Sequence, residues 1–173
     1  METPSKKVLV VEDDTLISNW IKSCLEESEV QESDIVVINH IDLLKAEISN
    51  ILGWVYGVVL LGWKIYWWHT NEIIIELLWE DVNTPLVNTS GGKEKDFGIP
   101  RMNKPFLPKH IYNLIEKMNT WELQQEWDSQ RDIRRNLLEA FTTPKPEEEK
   151  KPLESTQIPD KWLWDRWFWW WHK

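Results

Sequence analysis

The sequence predicts an α/β fold, a parallel sheet covered by helices on both faces. Two observations carry this. Short runs rich in β-branched residues alternate with stretches of helical apolar spacing along the first 119 residues, and alternation of that kind builds a parallel sheet. The first of those runs ends in the acidic cluster Glu12, Asp13 and Asp14, at the strand end where open α/β sheets place their ligand sites.

Taken in order, Lys7 to Val11 is an apolar run that reads as a strand buried on both faces. The acids that follow open a helix in which Leu16, Ile17, Trp20, Ile21, Cys24 and Leu25 recur at helical spacing, since acidic side chains favour a helix N-terminus. Asp34 to Asn39 predicts a second strand, and Ile41 to Leu52 a second helix through Leu43, Leu44, Ile48 and Ile51. Val55 to Leu61 predicts the third strand, Asn71 to Trp79 the third helix, and Pro85 to Thr89 the fourth strand. Ile99 to Asn103 reads as a short fifth strand. Pro108 stands where an N1 proline starts a helix carrying Ile111, Leu114, Ile115 and Met118.

Beyond this, a polar helix is expected through about Phe141, with Trp121, Ile133, Leu137, Leu138 and Phe141 as its apolar points. Pro144, Pro146, Pro152 and Pro159, with the charge run Glu147 to Lys151, read as a flexible linker. Trp162 to Trp171 forms an aromatic tail. The expected division is therefore a domain over 6–119, a helical extension over 120–141, a linker over 142–160 and a Trp-rich tail over 161–173. No internal repeat is visible.

Composition bounds the function. A chain of 173 residues, 42% hydrophobic and 28% charged, has enough for one core plus a tail. Its formal net charge of -9 argues against a broad nucleic-acid footprint, which draws on clustered Lys and Arg. The single cysteine, Cys24, forms no internal disulfide, and the chain opens on no secretion signal, so a reducing cytoplasm is expected. The longest apolar run, Ile51 to Leu61, is broken by Gly53 and Gly57 and falls short of the ~20 residues of a membrane-spanning helix. His40, His69, His110 and His172 show no metal-ligand spacing, with one another or with Cys24, and predict no zinc site. Cys24 falls on an apolar helix face and reads as a core residue rather than a nucleophile. Fourteen tryptophans, many of them at 54–79 and 162–171, set this sequence apart.

The chemistry rests on a constellation. By itself, an acidic cluster before a helix reads more readily as a cap than as a Mg2+ site. The segment Val8-Leu9-Val10-Val11-Glu12-Asp13-Asp14, a fourth strand ending Thr89-Ser90-Gly91, and Asn103-Lys104-Pro105-Phe106 before the last helix occur in this order. Together they resemble the receiver domain of two-component response regulators, the CheY-like superfamily, over about residues 6–119. The resemblance implies a flavodoxin-like, doubly wound sheet of five parallel strands in the order 2-1-3-4-5. It implies Glu12 and Asp13 as the Mg2+-binding pair, Ser90 as the hydroxyl of the phosphate pocket and Lys104 as the lysine that pairs with the phosphoryl group. It places the phosphoryl acceptor, an Asp in that family, at Gly62.

Glycine carries no nucleophile, and an acyl phosphate needs a carboxylate in line with the incoming phosphoryl group. Only 13 residues separate Ser90 from Lys104, where the family fits a full helix, so a shortened or missing fourth helix is expected. Both departures point to a pseudo-receiver, an interaction or scaffolding module and not an enzyme. In it Ser90 and Lys104 form a vestigial pocket, Mg2+ binds weakly if at all, and Lys104 pairs with Asp13 or Glu12. Two other readings exist. One is an active receiver whose acceptor carboxylate is another residue, such as Asp42 or Glu72. The other is a structural subunit of a larger complex anchored by its tail. In the tail, Trp162, Trp164, Trp167, Trp169 and Trp170 are the expected protein-binding residues, ahead of a membrane role, because the nearby acidic run is repelled by anionic lipid.

Overall fold

Four short strands stack side by side because each is apolar on both faces. In the computed structural model they are β1 (Val8–Val11), β2 (Ile35–Ile38), β3 (Val58–Leu61) and, after two short strands to be named below, Leu86–Asn88. The structure describes residues 7–62, 64–65, 68–89 and 97–142, all within one unit spanning Met1–Thr142. Strands β1 and β3 are fully buried along their length, as expected of the centre of a parallel sheet. Their helices are α1 (Thr15–Glu27), α2 (Ile41–Leu52) and α3 (Asn71–Trp79). A two-stranded antiparallel ribbon, β4 (Lys64–Ile65) with β5 (Trp68–His69), lies between β3 and α3. Leu86–Asn88 is then β6. The helices α4 (Pro108–Asn119), α5 (Glu122–Ser129) and α6 (Arg131–Thr142) complete the described chain.

The sheet order is β2-β1-β3-β6, all parallel, with Val11 in register with both Ile38 and Leu61. The expected fifth strand at Ile99 to Asn103 is reduced to a single parallel bridge between Asn88 and Arg101. There the Asn88 N–H donates to Pro100 O and the Met102 N–H donates to Asn88 O, both at 2.8 Å. Pro100 has no N–H with which to extend a ladder, and Gly98 holds φ +74 just before it. Among the described residues between β6 and α4, 97–107 contain no helix.

Strand residues alternate between the two faces. Val8, Val10, Val58, Leu60 and Val87 face α1 and α4, where Ile21, Leu25, Ile111 and Ile115 cover them. Leu9, Val11, Val59, Leu61 and Leu86 face α2 and α3, under Leu44, Ile51, Ile74 and Leu77. Cys24 is buried in the first of these cores. Among the described residues no helix is long and apolar enough to cross a membrane.

The single polar helix expected after residue 119 is instead two helices joined at Gln130. Helix α5 feeds both cores, Leu123 joining the α1–α4 side and Trp127 the α2–α3 side. Trp127 is 2% exposed, and its indole N–H donates to Val82 O at 3.0 Å. From α6, Leu138 joins the same core as Trp127. Ile133, Leu137 and Phe141, expected as apolar anchors, remain exposed. A ring contact between Phe97 and Phe141, with centroids 5.0 Å apart, ties α6 to the segment after β6.

Two predictions follow from this packing. Leu61→Ala lowers the unfolding free energy by about 2–5 kcal/mol, whereas Leu16→Ala, at a side chain 81% exposed, changes it by no more than about 0.5 kcal/mol; urea denaturation of both variants measures the contrast. The Tyr56 hydroxyl, buried and donating to Glu47 Oε2 at 2.6 Å, is held above its ordinary value of 10.0, first by burial and then by that carboxylate. The unfolded chain therefore releases this proton first, so the contribution is intact below pH 10 and is lost as pH rises beyond it. Tyr56→Phe is expected to flatten the alkaline fall of the denaturation midpoint.

Candidate functional site

The register of β1 between β2 and β3 brings three strand ends together. Val11 pairs with Leu61, so the next residues, Glu12 and Gly62, emerge side by side at the C-terminal edge of the sheet. The Glu12 N–H donates to Ile38 O at 2.9 Å and the Gly62 N–H to Val11 O at 2.8 Å, extending both ladders by one step. Gly62 is buried, and its carbonyl accepts a hydrogen bond from the buried Thr70 hydroxyl at 2.9 Å.

Glu12 is the buried carboxylate of this edge, 3% exposed. Its Oε2 accepts from Lys104 Nζ at 2.5 Å. Lys104 arrives from the far side of the sheet, on the segment between the Asn88–Arg101 bridge and α4, and its side chain is 27% exposed. The pair thus has a desolvated acid and a partly hydrated cation, and a buried carboxylate without such a partner would be strongly disfavoured. Of the two carboxylates expected to reach Lys104, Glu12 is the one bonded to it.

Asp14 does something else. Its Oδ1 accepts from Leu16 N at 2.8 Å and Ile17 N at 3.1 Å, capping α1. That is the cap an acidic residue before a helix makes, and it separates Asp14 from the site. Asp13 lies between them, half-buried.

Position 62 has no side chain, and neither proposed substitute is buried at the strand end. Asp42 is 75% exposed and sits 3.4 Å from His40 at the start of α2; Glu72 is exposed in the first turn of α3. Ser90 lies outside the described residues, as do the linker residues 143–160 and Trp162, Trp164, Trp167, Trp169 and Trp170 of the tail. Among the described residues no group of three His, Cys, Asp or Glu side chains could hold a metal ion. His40 and His110 act locally, each accepting a backbone N–H near a helix start.

An apolar hollow of about 550 Å³ adjoins Lys104, lined by Leu16, Ile17, Trp20, Pro105 and Phe106. The Trp20 and Phe106 rings meet there at 5.4 Å. Sequence reasoning placed Ile17 and Trp20 on the core face of α1, but both are only partly buried. What it missed was that Phe106, five positions before the buried Ile111, brings its ring back to α1.

No family model matches the sequence, and comparison with curated proteins finds no match. Solved structures do match. The receiver domain of the Francisella response regulator 1452 aligns over 67% of this chain and 98% of its own, with 21% identity and a TM-score of 0.55. The receiver domain of the sensor histidine kinase PA1611 from Pseudomonas aeruginosa, which holds a magnesium ion in its active site cleft, aligns over 66% and 97%, with 13% identity and a TM-score of 0.53. The beryllofluoride-activated NtrC4 receiver domain aligns over 67% and 98%, with 17% identity and a TM-score of 0.53.

The fold is that of a receiver domain. Its four parallel strands keep the expected order, with helices on both faces and the Glu12, Gly62 and Lys104 positions gathered at one sheet edge.

Lys104→Met is expected to lower stability by about 1–3 kcal/mol, less than the full cost of breaking a buried pair because the lysine end is partly hydrated. The double variant Glu12→Gln/Lys104→Met removes the orphaned charge and recovers most of that loss. A double-mutant cycle by urea denaturation measures it, and equal losses in the single and double variants would contradict the pairing.

Proposed function

We propose that this chain is a receiver-fold interaction module that takes up no phosphoryl group and docks constitutively on a protein partner within a signalling or regulatory assembly. The single observation that carries the reading is Gly62, which stands beside Glu12 where β3 ends. A phosphoryl group arriving at this edge meets backbone instead of a carboxylate, and no covalent intermediate forms without a nucleophile in line.

The remaining site residues support the same reading. Glu12 is committed to Lys104, so the lysine is engaged by the protein's own acid. With one carboxylate already paired and none at position 62, the donor set fits Mg2+ poorly, since that ion is held by oxygen ligands in near-octahedral geometry. Any Mg2+ binding is weak, and Ser90 and Lys104 are what remains of a phosphate pocket. The net charge of -9 favours a protein partner over nucleic acid. The Trp-rich tail, with Trp162, Trp164, Trp167, Trp169 and Trp170, supplies the side-chain type that anchors protein interfaces. The single cysteine suits the reducing cytoplasm.

The test is intact-mass measurement after incubation with acetyl phosphate and Mg2+, on the wild type beside Gly62→Asp. The wild type is expected to gain nothing. The variant is expected to gain one phosphoryl group, its new carboxylate displacing acetate from phosphorus. A wild type that gains the same mass carries its acceptor elsewhere and is a working switch, which would sink the proposal.

A further inference from the structure

Helix α6 buries a smaller share of its residues than any other described α-helix. Of its twelve residues only Arg134 and Leu138 are buried. Ile133, Leu137 and Phe141 stay exposed along a neighbouring stripe, although the Phe141 ring meets Phe97 and Leu137 approaches Gly98. Helix α5 is anchored by the buried Leu123 and Trp127, by the Trp127 bond to Val82 O and by Gln124 Nε2 donating to Asn83 O at 3.0 Å. One residue, Gln130, joins the two helices.

Arg131, the first residue of α6, stays tied at the junction with α5 by donating to Asn83 Oδ1 at 2.9 Å and pairing with Asp81 at 3.3 Å, and Phe141 meets Phe97 at the far end; between them, the buried contact has one good half and one poor half. Leu138 enters the α2–α3 core. Arg134, 4% exposed, lays its guanidinium over the Trp127 ring at 3.5 Å, but its Nη1 meets no hydrogen-bond partner among the described residues. Stacking on an aromatic face compensates a buried cation in part, and a buried donor left unpaired works against the burial. Burial and the neighbouring Arg131 pull the Arg134 pKa down to about 10, which agrees with a cation short of compensation.

Opposite this side chain the backbone has been cleared. Gly98 holds φ +74, and a Cβ there would come within 3.1 Å of Arg134 Cγ and 3.4 Å of Leu137 Cδ1. Glycine meets both demands at once, the left-handed backbone and the close approach. The ground α6 covers is the stretch after β6 that carries Phe97 and Ile99, where the described residues contain no helix of their own.

We propose that α6 is a releasable strap that hinges at Gln130, closing over the Phe97–Ile99 segment in the ground state and opening as a unit while α5 and the sheet stay folded. Arg134 is the residue that keeps the latch weak. Opening uncovers Phe97 and the part of α3 that α6 packs against, a surface the closed protein hides. The strap does not depend on the absence of a phosphoryl acceptor, and its test is separate from that of the function.

Hydrogen exchange of the full chain reads the strap directly. Amides of α6 are expected to exchange together, at least tenfold faster than those of α4 and the central strands. Arg134→Met keeps the methylene stem and a soft contact on Trp127 while removing the charge, and is expected to slow α6 exchange about tenfold with α4 unchanged. Gly98→Ala crowds the seam and is expected to speed α6 selectively. If α6 exchanges with the sheet in one transition, it belongs to the core and the strap is wrong. If its rates are graded inward from Thr142 and indifferent to Arg134→Met, it merely frays, which overturns the proposal equally.

Discussion

A carboxylate held out of water at the edge of a sheet needs a cation, and the Glu12–Lys104 pair meets that need here. The parallel register that buries β1 on both faces also fixes Glu12 at its end with almost no solvent. Neutralising that charge requires a group from beyond the last strand, so the segment 102–107 must cross the strand ends before α4 begins. In doing so it brings Phe106 onto Trp20 and positions Pro108 to start α4. One electrostatic requirement therefore links the first strand, the first helix and the last helix of the sheet domain.

The same geometry separates what packs this receiver fold from what stands at its sheet edge. Packing of the strands depends on the Val and Leu residues facing two cores, none of which would touch a phosphoryl group. Gly62 contributes to the ladder only through its backbone, donating to Val11 O and accepting from Thr70. These backbone bonds need no side chain at that position. Fold and site are separable here because the residues that build one are not those that would work the other.

Much of this was legible in the residues. Four strands and the helices Ile41 to Leu52 and Asn71 to Trp79 follow from the switch between continuous β-branched runs and helical spacing, while the strand order came from the resemblance to receiver domains. The fifth strand misled, because Ile99 to Asn103 has strand-like composition while Pro100 and the positive φ of Gly98 limit it to one bridge. The stretch after residue 119 misled for a different reason. Of its expected apolar points Leu138 is buried, but Ile133, Leu137 and Phe141 stay exposed while burial falls also on Leu123, Trp127 and the charged Arg134, a choice set by tertiary contacts with Val82, Phe97 and Gly98. The Glu12–Lys104 pair joins residues 92 positions apart; it was anticipated only through the resemblance to receiver domains, since local spacing carries no sign of it.

Fluorine NMR of the protein with Mg2+ and beryllofluoride reads whether a carboxylate reaches the strand ends, because beryllofluoride forms a stable adduct only on an acceptor carboxylate set beside the metal site. With Gly62 at the end of β3, the signals of free beryllofluoride species alone are expected. A protein-bound fluorine signal, with shifts centred on Glu12 and Lys104, would mean that a carboxylate does reach this edge, and would contradict that expectation.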